Sequence, residues 1–103
     1  MSDFYCENVF SGKVEVKKVK ETDNILAFYH TNPYYELHIV IVPKEHILTL
    51  LDASDELISE IFSVAKEIVK KLKPEGYSIR VNGGSFQDSK HLHFYLVSGE
   101  KIR

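Results

Sequence analysis

The residues with chemistry in them cluster late in the chain. His91-Leu92-His93-Phe94-Tyr95-Leu96 alternates ring and apolar residues without a break. In an extended strand, side chains two apart share a face. His91, His93 and Tyr95 therefore stack on one face, and Leu92, Phe94 and Leu96 point into a core. His38, inside Leu37-His38-Ile39-Val40-Ile41-Val42, sits in the same kind of pattern. If the two strands are neighbours, their polar groups converge. Three readings stay open on spacing alone. Such histidines can be satisfied core residues. They can be metal ligands, since neutral imidazole is a common ligand. They can be nucleophiles or acid–base groups, because an ordinary histidine titrates near pH 6.5.

The segment that leads into His91 favours phosphate chemistry. Asn82-Gly83-Gly84-Ser85-Phe86-Gln87-Asp88-Ser89-Lys90 is rich in glycine and in hydrogen-bond donors. Two adjacent glycines let a backbone approach a ligand closely, and turn N–H groups can hold an anion.

These groups need elements to carry them. Val14, Val16 and Val19 suggest a short edge strand, Ile25–Tyr29 a second, and Leu37–Val42 a central one that stops at Pro43. Apolar residues from Leu57 to Leu72 recur at helical spacing and predict one long helix over Asp55–Lys73. Asp52 or Ser54 caps its start, and Pro74 and Gly76 stop it. Tyr77–Val81 and His91–Val97 complete five strands. The expected fold class is α+β: a five-stranded antiparallel sheet with one long helix and a short N-terminal helix or turn, in a single domain over residues 1–103.

Composition narrows the function. The 103 residues carry 13 Lys+Arg against 15 Asp+Glu, which argues against a nucleic-acid partner. One cysteine, Cys6, excludes an internal disulfide. No stretch approaches the roughly 20 apolar residues of a membrane span, and the first residues lack a signal-peptide layout. A cytoplasmic location without a membrane partner is the expectation.

The histidine segment resembles the signature of the histidine triad (HIT) family, His-x-His-x-His followed by apolar residues. Asn24–Phe28 is similar to the family's second strand, and Leu37–Ile47, with its Pro43-Lys44-Glu45-His46, to its third strand and exit. The resemblance implies a sheet-paired homodimer and a nucleotide site for AMP or another purine nucleotide derivative. It implies a phosphoramidase, hydrolase or transferase acting at the α-phosphate through a nucleotidyl-histidine intermediate. On this reading His93 is the nucleophile, with His91 the first triad histidine and His38 the separate histidine of the third strand. Asn82 and Gln87 match the phosphate loop. Ser89 and Tyr95 add phosphate donors, and Ile25, Phe28 and Tyr29 wall the base.

Two positions depart from the pattern. Tyr95 stands at the third triad place, and His30 falls near a ribose-binding carboxylate. A nucleotide-binding protein with little turnover is therefore the alternative. His46 matches a histidine that in some members joins two N-terminal cysteines and a triad histidine around zinc. Only Cys6 is present here, with Ser2 and Asp3 nearby, so neither metal nor cofactor is expected.

Overall fold

The computed structural model describes residues 5–103. A short helical turn, Tyr5–Val9, comes first. The strands are β1 (Lys18–Glu21), β2 (Ile25–Tyr29), β3 (Tyr35–Pro43), β4 (Ser78–Val81) and β5 (Phe94–Lys101), and the long helix is α1 (Asp55–Leu72). The five strands form one antiparallel sheet in the order β1-β2-β3-β5-β4. The expected α+β architecture is the one observed. No helix among the described residues is long and apolar enough to cross a membrane.

Helix α1 forms where its apolar residues make one stripe. The Ser54 hydroxyl accepts a hydrogen bond from the Leu57 N–H at 3.1 Å and caps the start. Asp52 instead closes the short turn Leu50–Asp52, accepting from the Thr49 N–H and hydroxyl. The helix ends at Lys73, which takes a left-handed conformation, φ +50°, and donates its N–H to the Val69 carbonyl. Pro74 follows and cannot continue the ladder.

The sheet has two different faces. Ile25, Ala27, Ile39, Ile41, Phe94 and Leu96 pack against Ile61, Val64, Ala65 and Ile68 of α1. Full burial of each large aliphatic side chain is worth about 1.5–3 kcal/mol. On the opposite face Leu26, Phe28, Val40 and Val42 pack among the described residues against Tyr5 and Val9 of the N-terminal turn, with Phe10, Val16 and Tyr95 at their margin. One turn cannot cover a whole sheet face, and the site lies in what it leaves open.

Two boundaries differ from the sequence reading. The first strand is Lys18–Glu21, and Val16 packs beneath the N-terminal turn instead of joining it. The last strand begins at Phe94, not His91, and runs on to Lys101. Regular β3–β5 pairing ends where Ile41 stands opposite Phe94, so His91–His93 lies outside the ladder. The Leu92 N–H donates to the Ile47 carbonyl at 2.7 Å and keeps the segment extended, with its alternation intact.

Candidate active site

The pairing register assembles the site. Val40 lies opposite Tyr95, and Tyr95 opposite Arg80; His38 lies opposite Val97. Residues directly opposed share a face. His38, Tyr95 and Arg80 thus stand on the side away from α1, and the two-residue period carries His93 and His91 onto the same side.

His93 is 5% exposed and packs between Tyr5 and Tyr95, with ring centroids 5.3 and 5.2 Å away. Its Nδ1 lies 2.8 Å from the His91 carbonyl. A carbonyl can only accept, so the proton is on Nδ1 and the lone pair is on Nε2. The ring borders a cavity of about 240 Å³ whose wall also includes Tyr5, Phe28, His30, Ser89 and Tyr95. The Ser89 hydroxyl is buried with no hydrogen-bond partner among the described residues. A buried donor left unmade costs about 1–3 kcal/mol, which a ligand oxygen would recover. Asp88, exposed at the rim, supplies the cavity wall's carboxylate.

Tyr95, His38 and His30 form an aromatic stack beside His93. His30 and His38 lie 4.3 Å apart, and His38 meets Tyr95 edge-on at 4.7 Å. His38 Nδ1 accepts from the Tyr34 N–H at 3.0 Å, which puts its proton on Nε2. That N–H is buried with no acceptor among the described residues. Burial, then the charges of His30 and Arg80, push the His38 pKa down to about 4. His30 Nδ1 accepts from the Asn32 N–H at 2.9 Å, so its donor too is Nε2. Burial lowers the His30 pKa, helped by His93 and Arg103. The Tyr95 pKa is raised, first by burial and then by Asp88 and Tyr34, against a hydrogen bond from Tyr5 that lowers it. The stack is therefore neutral at pH 7 and rich in donors.

His91 is fully buried, and its surroundings differ from those of His93. Its Nε2 donates to the Pro43 carbonyl at 2.8 Å, which leaves the lone pair on Nδ1. That nitrogen faces the Cys6 sulfur at 3.5 Å, and His46 Nδ1 faces the same sulfur at 3.5 Å. The three donor atoms lie within 4.8 Å of one another. One sulfur and two imidazole nitrogens suit a tetrahedral zinc ion with a fourth position open. The expectation of no metal rested on Cys6 being single; the structure brings it against both imidazoles. Cys6 and His46, 40 residues apart in sequence, meet here because the N-terminal turn folds over the sheet. Ser2 and Asp3 lie outside the described residues.

Several expected site residues stand elsewhere. Ile25 is not a wall for a base: it is fully buried in the core against α1, on the other side of the sheet. Its neighbour Phe28 does line the cavity. The Gln87 side-chain amide donates to the Leu48 and Ser89 carbonyls at 2.6 and 2.9 Å, so it braces the loop instead of offering those hydrogens to a phosphate. Asn82 and His38 line a second, adjoining pocket with Arg80 and Lys101, separated from the first by Tyr95. His91, bonded to Pro43 and facing Cys6, holds His93 through its carbonyl and is not among the residues of the cavity wall.

The sheet order, the single helix and the imidazole-lined cavity beneath an N-terminal turn define a class of small α+β proteins. Comparison with known proteins gives that class its name. The HIT domain family model matches residues 11–102. The chain is 33% identical over 99 residues to a HIT-like protein of Helicobacter pylori, covering 92% of this chain and 95% of that one. It is 31% identical over 99 residues to the adenosine 5'-monophosphoramidase of Schizosaccharomyces pombe, covering 94% of this chain and 74% of that one. Its fold is similar to the histidine triad nucleotide-binding protein of Candida albicans, at TM-score 0.85 and 29% identity over 96% of this chain and 76% of that one. A histidine triad protein from Clostridium difficile matches at TM-score 0.81 and 34% identity over 93% of this chain and 90% of that one. The chain belongs to the HIT family.

Proposed function

We propose that this protein is a nucleotide hydrolase or phosphoramidase that acts at the α-phosphate of AMP or another purine nucleotide derivative, with His93 as the nucleophile. The observation that carries this reading is the His93 tautomer: the His91 carbonyl holds the Nδ1 proton, so the Nε2 lone pair belongs to the ring that borders the cavity. The Schizosaccharomyces pombe relative, an adenosine 5'-monophosphoramidase, supports it.

In the first step His93 Nε2 attacks phosphorus in line with the leaving group. The P–N or P–O bond breaks, and its electron pair departs with the leaving group, which takes up a proton. The imidazole becomes a cation, and the Nδ1–H···O=C bond to His91 strengthens as it does so. The Ser89 hydroxyl and the Tyr95 hydroxyl stabilise non-bridging oxygens, and phosphoryl transfer depends mostly on such positioning and charge stabilisation. Water then attacks phosphorus and gives up a proton to solvent, the P–Nε2 bond breaks with its electron pair returning to Nε2, and neutral His93 returns. His38 positions Tyr95 by its edge-on contact and does not touch the reacting atoms. Cys6, His46 and His91 would hold a zinc ion, which would fix the His91 ring and the N-terminal turn; none of the steps passes through it.

The test is covalent trapping. Incubation with an adenosine phosphoramidate and an alkaline denaturing quench, which spares the acid-labile P–N bond, should leave an AMP-sized mass increment on His93, absent in His93→Ala. The second reading, a nucleotide-binding protein without turnover, is favoured by the neutral Tyr95 at the third triad place. AMP binding without any adduct or product would establish it. We also propose a homodimer through the β4 edge and α1, where Tyr77 and Phe62 are 52% and 43% exposed. Light scattering at micromolar concentration should return twice the chain mass; the mass of one chain would refute it.

A further inference from the structure

Of the residues around the pocket beyond Tyr95, only Tyr95 and His38 have a part in the chemistry above. The pocket holds about 210 Å³ and is lined by Tyr34, His38, Arg80, Asn82, Tyr95 and Lys101, with Tyr35 and Val97 completing its wall. Two of these residues are cations, and none is a carboxylate. At about 30 Å³ per liquid water, the space equals roughly seven waters, enough for a tetrahedral oxyanion and solvent around it. Its placement follows from the register. Arg80 pairs with Tyr95 and so stands on the same side as His38; Lys101 pairs with Tyr35 beyond an irregularity in the β3–β5 register, and both cations line the pocket with His38. The Arg80 guanidinium lies over the Tyr35 ring at 5.1 Å, which fixes its position. Arg80 is near enough to depress the His38 pKa.

A second, independent observation comes from His38 itself. It is 4% exposed, and Tyr34 fixes its proton on Nε2, yet that buried N–H has no acceptor among the described residues. A fold rarely leaves a buried donor in that state unless something outside the chain completes it. Two cations, an amide, tyrosine hydroxyls and an uncompleted N–H, with no acidic group in the wall, specify an anion.

We propose that the pocket lined by His38, Arg80, Asn82 and Lys101 is a second anion subsite, which takes a phosphate or carboxylate group. The anion has two possible sources: a free ion, or an acidic group on the leaving portion of a nucleotide seated at His93. Only the second source rests on the proposed nucleotide chemistry. Tyr95 forms part of both cavities, so a leaving group displaced from His93 past Tyr95 would carry its acidic group toward Arg80 and Lys101.

Two experiments test it. In the first, isotopically labelled protein is titrated with inorganic phosphate at constant ionic strength, and amide shifts are followed by NMR. Saturable shifts at Tyr34, Asn82 and Lys101 are expected. In the double variant Arg80→Gln, Lys101→Gln the affinity at these amides should fall at least tenfold, since one charge contact near a surface is worth roughly fivefold. The amide spectrum of the variant itself shows whether it is folded. Shifts confined to Ser89 and His93, or shifts that survive the double variant, would overturn the proposal. In the second experiment, two adenosine phosphoramidates are compared, one whose leaving amine bears a carboxylate and one with the matching carboxamide. A leaving-group source predicts a five- to tenfold preference in kcat/KM for the acid, lost in the double variant. Phosphate binding without that preference assigns the pocket to a free anion and refutes the leaving-group source. If neither compound is turned over, the hydrolase reading fails, while the phosphate titration still decides the subsite.

Discussion

Acidifying the protein should destabilise it through His38, by an amount the structure sets. The folded-state pKa of His38 is pushed down to about 4 from 6.5, with burial the largest cause. A histidine with a depressed folded pKa is neutral in the native state and charges more readily when unfolded. Its cost is absent above the unfolded pKa and grows as pH falls from 6.5 toward 4, where the unfolded chain binds the extra proton. Linkage gives a loss of about 2 kcal/mol at pH 5 and about 3 kcal/mol at pH 4 for this residue alone. His30 shifts in the same direction and adds to it. The control is His38→Asn, whose side-chain carbonyl can accept from the Tyr34 N–H but does not titrate. Urea unfolding of both proteins at pH 7 and pH 5 is the assay. The wild type should lose about 2 kcal/mol more than the variant between those values. Parallel pH dependence would refute the reasoning, as would an NMR titration in which His38 gains its proton near pH 6.5.

Other outcomes follow from the same geometry. His93→Ala should abolish turnover and leave AMP affinity within about tenfold, since one neutral hydrogen bond is worth about 1 kcal/mol; substantial residual activity, read by release of AMP, would displace His93 as nucleophile. Tyr95→Phe should slow turnover by less than about a hundredfold, the low end for a positioned proton-transfer group. Ser89→Ala should raise KM or lower kcat without loss of melting temperature, because its buried hydroxyl has no partner to lose within the chain. Stoichiometric zinc should raise the melting temperature of the wild type and not of Cys6→Ala, and cobalt in its place should give a sulfur-to-metal absorption band that Cys6→Ala lacks.

What the sequence discloses is whatever depends on local period. The α1 stripe and the alternation through His91, His93 and Tyr95 are patterns of 3.6 and 2, and the structure follows both. What it conceals depends on pairing. Ile25 and Leu26 are both apolar, so nothing in β2 says which of them faces α1; the answer comes from Ile25 standing opposite Pro43 and Ala27 opposite Ile41. Asn82 sits in a donor-rich loop, yet it lines the pocket with Arg80 and Lys101. The cluster of Cys6, His46 and His91 spans 85 residues of chain, and only the resemblance, not any local period, brought its members to notice.

The separation of fixed charge from the proposed nucleophile has a chemical consequence. Around His93 the groups are neutral donors: Ser89, a Tyr95 hydroxyl whose pKa is raised by burial, and a His30 whose pKa is lowered by it. The charge at that cavity is Asp88, on its rim. Dipoles of this kind can stabilise spread-out charge on a transferring phosphoryl group without holding a product anion as tightly as a salt bridge would. The cations Arg80 and Lys101 stand instead beyond Tyr95; on the proposed chemistry they would meet the group that departs and not the phosphorus under attack. A fixed cation beside His93 would favour its neutral, attacking form, yet it would oppose the imidazolium that forms when phosphorus is captured. Placing the charge one side chain away avoids that opposition, and Tyr95 is the residue that keeps the two regions apart.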